Sequence, residues 1–329
     1  MVRQDVTASN IGLFDNVLNI RVIAGSKDTT VRGFSLDIGA ETWSNNESAD
    51  DVFAVASLSN SFYSVDKSGI VRRIDQFGQT VWQKQSRVPN SAVGLVASPA
   101  GRVYYAHDDL SIGQQVIAFD AETGSELWAH DMNNSVNPPN IGTDVDGNVF
   151  LILGSSALRR IYPDGSLAFS KTLSGSNAGI AVAPERFLYI GELFGPLKKF
   201  DYDGNEIAST GVIFGGAGPN LSAFEGGVVW TTPQAEMRDS DLNQIWNVGT
   251  VGSGEYPPAV DSSRNVYYVR PGLSRSIKKL DGLTGDELWE TLQFGAEVTS
   301  VSMSPSATVF SDGFEMVRRS IRWDDVAGK

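Results

Sequence analysis

A segment that recurs along the chain is the feature that most limits its fold. Residues 118–128 follow the pattern Ala-x-Asp-x-x-Thr-Gly-x-x-x-Trp, and residues 279–289 repeat it with Lys in place of Ala. Related copies end at residues 43, 82, 169, 208 and 246, so successive copies end 38–46 residues apart. A period of this length indicates repeating structural units rather than unrelated domains.

Each copy has the pattern of a β-hairpin. An alternating strand leads into a short turn with Gly or Asp-Gly, and a second strand ends in an aromatic residue in most copies. A strand of small residues and a strand of aromatic and β-branched residues precede the hairpin. The aromatic ends are the predicted structural anchors of the units: Trp43, Trp82, Trp128, Phe169, Trp246 and Trp289.

Four strands in about 40 residues predict an all-β fold, a β-propeller of four-stranded antiparallel blades over residues 1–329 as a single domain. The small-residue strand occurs eight times, first near residues 9–14 and last near 297–302, which favours eight blades over seven. The outer, Trp-type strand occurs only seven times. We therefore expect residues 2–7, or residues 321–323, to supply the missing outer strand, the former by joining the two ends of the ring.

Composition excludes several classes of site. The 329 residues carry a net charge of −13, contain no Cys and contain only two His. Disulfides, thiolate metal sites, cysteine nucleophiles and three-imidazole sites are thereby excluded. The acidity argues against nucleic-acid binding, and no apolar run is long enough to predict a membrane span. Residues 1–6 lack the apolar stretch of an export signal. We therefore expect either that the chain stays in the cytoplasm or enters a virion, or that a leader has been removed from it.

The repeat resembles that of the quinoprotein-type, PQQ-like β-propellers. In that family the Trp packs between neighbouring blades, and the members include both quinone-dependent dehydrogenases and cofactor-free scaffolds. The resemblance to the alcohol dehydrogenases implies an adjacent Cys pair, which a chain without Cys cannot have. The sugar dehydrogenases imply a His base, but neither His107 nor His130 matches the family motif. The sequence is therefore closer to the cofactor-free scaffolds, and we expect neither catalysis nor a cofactor.

Three acidic loops begin like calcium-binding loops. Residues 144–148, 201–205 and 239–243 each place oxygen-bearing side chains at positions 1, 3 and 5. The sixth position is not Gly in any of them, and the twelfth is not Glu. We interpret them as tight turns, and the glycine-rich residues 211–218 as a loop.

Pairs of basic residues recur on the third strand of several units. The two members of each pair point to opposite faces of their strand. Together the pairs would form a basic band on an otherwise acidic protein, where an acidic partner could dock. The candidate partner-docking residues are Arg72, Arg73, Arg159, Arg160, Lys198, Lys199, Lys278, Lys279, Arg318 and Arg319.

The sequence thus favours a non-enzymatic propeller that serves as a rigid structural or protein-interaction module. Its most concrete form is a subunit of a large assembly such as a tailed-phage virion, with other proteins of that assembly as partners. A quinone-dependent dehydrogenase and a carbohydrate-binding propeller, with residues 131–139 as a glycan-binding loop, are the alternatives.

Overall fold

The computed structural model describes most of the repeats but neither end of the chain. The described residues are 21–86, 92–109, 113–132, 140–154, 156–175, 177–212, 220–231, 234–250, 257–269, 275–292 and 294–303. The predicted strands at 2–7, 9–14 and 321–323 lie outside this part, as do Arg318, Arg319 and most of the loops at 131–139 and 211–218.

Twenty-eight β-strands make up the secondary structure of the described residues. They are β1 (Arg21–Ser26), β2 (Val31–Ser35), β3 (Glu41–Asn45), β4 (Val52–Leu58), β5 (Ser61–Asp66), β6 (Ile70–Ile74), β7 (Thr80–Gln85), β8 (Ala92–Ser98), β9 (Arg102–Asp109), β10 (Gly113–Asp120), β11 (Glu126–Asp131), β12 (Asn140–Thr143), β13 (Val149–Leu153), β14 (Ala157–Ile161), β15 (Leu167–Thr172), β16 (Asn177–Val182), β17 (Phe187–Glu192), β18 (Pro196–Asp201), β19 (Glu206–Val212), β20 (Leu221–Phe224), β21 (Gly227–Thr231), β22 (Gln234–Asp239), β23 (Gln244–Thr250), β24 (Ala259–Val260), β25 (Val266–Val269), β26 (Ile277–Leu280), β27 (Glu287–Glu290) and β28 (Val298–Met303). Within the described ranges there is no helix that could cross a membrane.

The strands form seven antiparallel four-stranded sheets, which are the blades of a propeller. Blade 1 has the order β28-β1-β2-β3. Blades 2 to 7 each take four consecutive strands, from β4–β7 in blade 2 to β24–β27 in blade 7. The first strand of each blade contacts the first strands of both neighbouring blades, so these strands surround the axis of a closed ring.

The expectation of eight blades is wrong for the described chain, because the last small-residue strand does not begin a new blade. β28 pairs with β1, with Val22 opposite Met303 and Ala24 opposite Val301, and occupies the innermost place of blade 1. The expected seven outer strands are therefore the full set, and the described ring is closed by residues 298–303 rather than by an outer strand from residues 2–7.

The hydrophobic core lies between the blades. Seven clusters of buried apolar side chains occur, each made by two neighbouring blades. The cluster between blades 7 and 1, for example, joins Phe34 and Val22 of blade 1 to Tyr267 of blade 7. Both faces of a blade are consequently covered, which differs from a two-layer sheet with one solvated face.

The turns at one end of the blades form a common face. Since the four strands of a blade alternate in direction, the turn between strands one and two lies at the same end as the turn between strands three and four. We call the former inner turns and the latter outer turns. The outer turns are residues 36–40, 75–79, 121–125, 162–166, 202–205, 240–243 and 281–286, and their end of the molecule is here the hairpin-turn face.

Candidate functional site

Each of the five anchor tryptophans connects its outer strand to the outer turn of the next blade. In four junctions the indole N–H donates a hydrogen bond to a backbone carbonyl of that turn or next to it. The pairs are Trp82 to Ala121 at 3.2 Å, Trp128 to Pro163 at 2.8 Å, Trp246 to Gly282 at 3.1 Å and Trp289 to Leu36 at 3.0 Å. The sequence pattern that identified these residues therefore marks contacts between blades.

In six of the seven outer turns a Gly lies against the anchor of the preceding blade. Gly124 has φ +68°, and a Cβ built on it would lie 2.7 Å from the Trp82 ring. The same arrangement recurs between Gly39 and Trp289, Gly78 and Trp43, Gly165 and Trp128, Gly204 and Phe169, and Gly285 and Trp246. Gly at this position thus allows both the positive φ and the close approach to the ring.

The junction of blades 5 and 6 replaces both partners of this contact. The anchor position holds Ala208, and the turn position of blade 6 holds Leu242 at φ +68°. Leu242 is buried and belongs to the apolar cluster of this junction, against which Ala208 also packs. A larger turn residue therefore accompanies the smaller anchor.

The basic pairs lie on the third strands of blades 2, 4, 5 and 7, and their second members reach the next blade. Each second member is directly opposite an anchor position in the sheet, as Arg73 is opposite Trp82. Their hydrogen bonds to carbonyl oxygens are Arg73 to Glu122 at 3.0 Å, Arg160 to Tyr202 at 3.4 Å, Lys199 to Ser240 at 2.7 Å and Lys279 to Leu36 at 3.0 Å. These charges therefore connect the same pairs of neighbouring blades as the anchor positions do.

The first members point to the other face of their strands. Arg72 pairs with Asp66 at 2.5 Å, and both side chains are completely buried. The remaining contacts are Arg159 to the Met132 carbonyl at 3.4 Å, Lys198 to Ser174 Oγ at 2.9 Å and to Glu192, and Lys278 to Glu290 at 3.3 Å and to Glu287. The contacts of all four described pairs are thus internal, and the docking of a partner by these residues stays a prediction.

The two histidines are also placed within blade 3. His107 lies on β9 and is fully buried. His130 lies on β11, with Nδ1 3.2 Å from the Gly165 carbonyl oxygen of blade 4. Neither arrangement brings a histidine into the cavity described below.

The acidic loops use their carboxylates to close their own turns. Asp144 accepts hydrogen bonds from the Asn148 backbone N–H and side-chain amide, both at 2.7 Å. Asp201 with Asn205 and Asp239 with Asn243 repeat this arrangement. In the described residues no group of three or more acidic or histidine side chains is placed to hold a metal ion.

A cavity of about 540 Å³ opens among the inner turns of blades 3 to 7. Neighbouring inner turns contact each other around it. Ser98 Oγ donates to the Asp144 carbonyl at 2.7 Å, Arg186 pairs with Asp146 at 2.5 Å, the Gly226 N–H donates to Glu185, and the Arg264 guanidinium lies over the Phe224 ring. Arg186 and Asp146 form an ion pair on the cavity wall, while the other contacts between the turns are hydrogen bonds and a cation–ring contact.

Each outer turn exposes more than one side chain, and one of them at its tip divides the ring of turns into two arcs. Asp37 of blade 1 and Tyr162 of blade 4 are exposed on these turns as well. In blades 7, 1 and 2 the tip residue is apolar, and we call Leu283, Ile38 and Phe77 the apolar arc; their exposures are 74%, 73% and 63%. In blades 3 to 6 it is acidic, and we call Glu122, Asp164, Asp203 and Asp241 the acidic arc. The sequence reasoning missed both arcs, and an alignment of the copies at the turn Gly does not place the apolar arc in one column, because Ile38 directly precedes Gly39 whereas Leu283 lies two residues before Gly285.

Three carboxyls at or directly before the outer turns have lowered pKa values. The backbone N–H of Asn205 lowers the pKa of Asp201, and the backbone N–H of Thr123 lowers that of Asp120. The backbone N–H of Leu283 lowers the pKa of Asp281 in the same way. These three carboxyls are therefore ionised at and below neutral pH.

Comparison with solved structures supports the fold assignment. The chain is similar to the computationally designed Ika8 protein (TM-score 0.61, 18% identity, 86% of each chain covered). It is also similar to BamB from Moraxella catarrhalis (TM-score 0.54, 15% identity, 83% of this chain and 86% of that chain). A protein of unknown function from Bacteroides caccae matches with a TM-score of 0.54 and 14% identity over 87% of this chain and 99% of that chain. At these identities the likeness establishes the fold alone.

Comparison of sequences identifies the repeat. No curated protein matches the chain significantly. Residues 67–194, from the end of blade 2's second strand to that of blade 5's, match the family model described as outer membrane protein assembly factor BamB. Over residues 67–194 the chain therefore carries the repeat of the PQQ-like, BamB-type propeller family, which confirms the resemblance seen in the sequence.

Proposed function

We propose that the chain is a rigid protein-interaction scaffold that binds its partners on the hairpin-turn face. The observation that carries the proposal is the attachment of the outer turns to the preceding blades by anchor rings and basic side chains, as Trp289 and Lys279 of blade 7 both donate to the Leu36 carbonyl of blade 1. Turns held in this way are pre-organised, so little conformational entropy is lost when a partner binds.

The scaffold acts without catalysis and without a cofactor in this proposal. The chemistry of the groups considered for catalysis or metal binding supports it. His107 is buried, and the carboxylates of Asp144 and Asp201 accept hydrogen bonds from their own turns. A titration with pyrroloquinoline quinone and calcium, followed by absorbance, is expected to show no stoichiometric binding; tight binding would contradict this part of the proposal.

The finer form of the proposal is a subunit of a large assembly such as a tailed-phage virion. In the closed ring, neighbouring blades share a hydrophobic core at every junction. Such a ring is rigid, which suits a structural subunit of a large assembly. Mass spectrometry of purified particles from the source should detect the chain at a fixed copy number. Its absence from particles that contain the other structural proteins would overturn this form and leave the scaffold proposal standing.

Site-specific photo-crosslinking in the native cell tests which face is used. A benzophenone amino acid at Asp203, on an outer turn of blade 5, should give a crosslinked band of defined mass. The matched control is the same amino acid at Phe194, which is 65% exposed on the turn between the second and third strands, at the opposite end of the same blade. Crosslinks from position 194 with none from position 203 would overturn the proposal.

A further inference from the structure

We propose that the apolar arc binds a protein segment that presents an apolar anchor side chain flanked by Lys or Arg residues. This inference rests on the proposed function and specifies the chemistry of the partner. It begins with the position of the three exposed apolar side chains. A single exposed apolar residue is ordinary on a protein surface, but Leu283, Ile38 and Phe77 occupy the tips of three consecutive outer turns.

A groove beside Ile38 provides a place for the anchor side chain. It has a volume of about 590 Å³ and lies at the junction of blades 7 and 1. Phe34 and Phe294 line it together with Leu292, which is 93% exposed. The Phe34 and Phe294 rings meet edge to face at 5.5 Å, and they form the aromatic part of the groove wall. Arg32 also lines the groove, with its guanidinium 5.2 Å from the centre of the Phe294 ring and its charge paired with Asp28. Apolar anchors in such pockets supply most of the binding energy of protein interfaces.

The charge around the arc determines the rest of the partner. The outer turns contain eight carboxylates and no Lys or Arg. The eight are Asp37, Asp75, Glu122, Asp164, Asp203, Asp241, Asp281 and Asp286. Among them Glu122 has a basic partner, Arg73, at 2.8 Å. A ring of this charge repels acidic proteins, anionic lipid surfaces and nucleic acids, and it attracts a basic segment.

The two features meet at Ile38, which belongs to the ring of outer turns and also lines the groove. From there the groove runs along the junction of blades 7 and 1 to residues 291–295, which follow β27. Asp37 is adjacent to Ile38, and Asp281 is two residues before Leu283, so carboxylates also accompany the apolar arc. A partner that fills the groove would thus place its neighbouring residues next to carboxylates. Basic residues there increase the association rate, and the buried anchor lowers the dissociation rate.

Three labelled synthetic peptides test the inference by fluorescence anisotropy with the full chain. They are 14-residue peptides of alternating Leu and Lys, Leu and Glu, and Ser and Lys. We expect the Leu–Lys peptide to bind at low salt and the other two to bind at least about tenfold more weakly. Equal binding of Leu–Lys and Ser–Lys, or no binding of Leu–Lys, would overturn the inference.

Variants of both arcs locate the binding. Ile38→Asp and Phe77→Asp should each weaken Leu–Lys binding about tenfold or more. Asp203→Lys with Asp241→Lys should weaken it and reduce its salt dependence. Phe194→Asp, an exposed apolar residue outside the hairpin-turn face, is the control and should bind like the parent chain. An equal loss in the Phe194 variant would overturn the inference.

The two proposals fail separately. Thermal unfolding of each variant shows whether it has kept the fold, and these side chains are exposed enough that we expect no large change. If position 203 crosslinks to a partner while the Leu–Lys peptide does not bind, the partner chemistry is wrong and the scaffold remains. If the hairpin-turn face gives no crosslink in the native cell, the proposed function itself fails.

Discussion

At the scale of single residues, the outer-turn glycines test how much a junction between blades depends on close contact. Gly124 has φ +68°, and an added Cβ would lie 2.7 Å from Trp82. Gly124→Ala should lower the free energy of unfolding by about 2–4 kcal/mol, because backbone strain and overpacking add. Urea denaturation followed by tryptophan fluorescence measures the loss.

Gly249 is the matched control for this change. It has the same φ of +68°, and a Cβ built on it meets no atom within 4 Å. Gly249→Ala should therefore cost only the backbone part, about 1–2 kcal/mol. Equal losses in the two variants would show that contact with the Trp82 ring contributes nothing.

The junction of blades 5 and 6, where Ala208 and Leu242 replace the aromatic anchor and the Gly, gives a second prediction for single residues. Ala208→Trp alone should destabilise the protein by about 1–3 kcal/mol, because Leu242 fills part of the junction. Leu242→Gly alone should also destabilise it by leaving a cavity. The double variant restores the arrangement of the other junctions, so the two changes should show a favourable coupling of about 0.5–3 kcal/mol. Additive losses in the denaturation cycle would contradict this.

The repeat could be predicted from single residues. That Leu242 fills the space left by the missing Trp at position 208 could not. The missing Trp at position 208 is visible when the copies are aligned. That Leu242 belongs to the same junction requires knowing which turn packs on which outer strand. The sequence separates these two residues by most of a blade, and no local pattern connects them.

At the scale of elements, the basic pairs show that a strand pattern predicts the direction of a side chain but not what that side chain contacts. Alternation correctly indicates that Arg72 and Arg73 point to opposite faces of β6. In most sheets one of those faces would be solvated. In a propeller both faces meet other blades, so Arg72 is buried against Asp66 and Arg73 reaches Glu122. The strand assignment was therefore predictable, whereas the internal role of the charges was not.

The outer turns give a pH prediction. The Asp201 carboxylate accepts the backbone N–H groups of Asn205 at 2.8 Å and Asp203 at 3.0 Å, and the first of these is the main cause of its lowered pKa. A carboxyl whose pKa is lower in the folded state stabilises the protein above its unfolded pKa of about 3.9. This contribution is lost as the pH falls through the lower, folded pKa.

Asp201→Asn should therefore be less stable than the parent chain at pH 7, and the difference should shrink as the pH falls below about 4. Urea midpoints measured across this range provide the test. Asp203→Asn is the control in the same turn, because Asp203 contributes its backbone N–H rather than its carboxylate to this network. A difference for Asp201→Asn that stays constant down to the lowest pH would contradict the assigned cause.

At the scale of the whole molecule, the number of blades depends on a pairing between distant residues. The sequence predicted four-stranded blades and their period because both are local patterns. It led to eight blades because the small-residue strand at 297–302 was counted as the start of another unit. The structure pairs β28 with β1, more than 270 residues away, and no short-range pattern specifies that pairing.

The candidate docking surface was predictable only in part. The acidic tips lie in segments that the sequence analysis recognised as turns, and their exposure follows from that assignment. The groove beside Ile38 could not be predicted, because it combines residues of blades 7 and 1 that meet only when the ring closes. Closure of the ring therefore brings together the residues that line the proposed binding groove. It also forms the hydrophobic cluster between blades 7 and 1.

Closure of the ring gives the last prediction. A chain ending at Met303 keeps all 28 described strands, whereas a chain ending at Glu297 lacks β28. β28 buries Val298, Val301 and Met303, which at about 1.5–3 kcal/mol each amounts to about 4–9 kcal/mol. That is comparable to the whole stability of an ordinary domain, about 5–15 kcal/mol. The chain ending at Glu297 should therefore lose its cooperative urea transition, and the chain ending at Met303 should keep it.

Because the missing strand leaves β1 as an unpaired edge, a synthetic peptide of residues 298–303 should restore part of the transition. Identical transitions for the two chains would show that the β28–β1 pairing does not hold the ring closed.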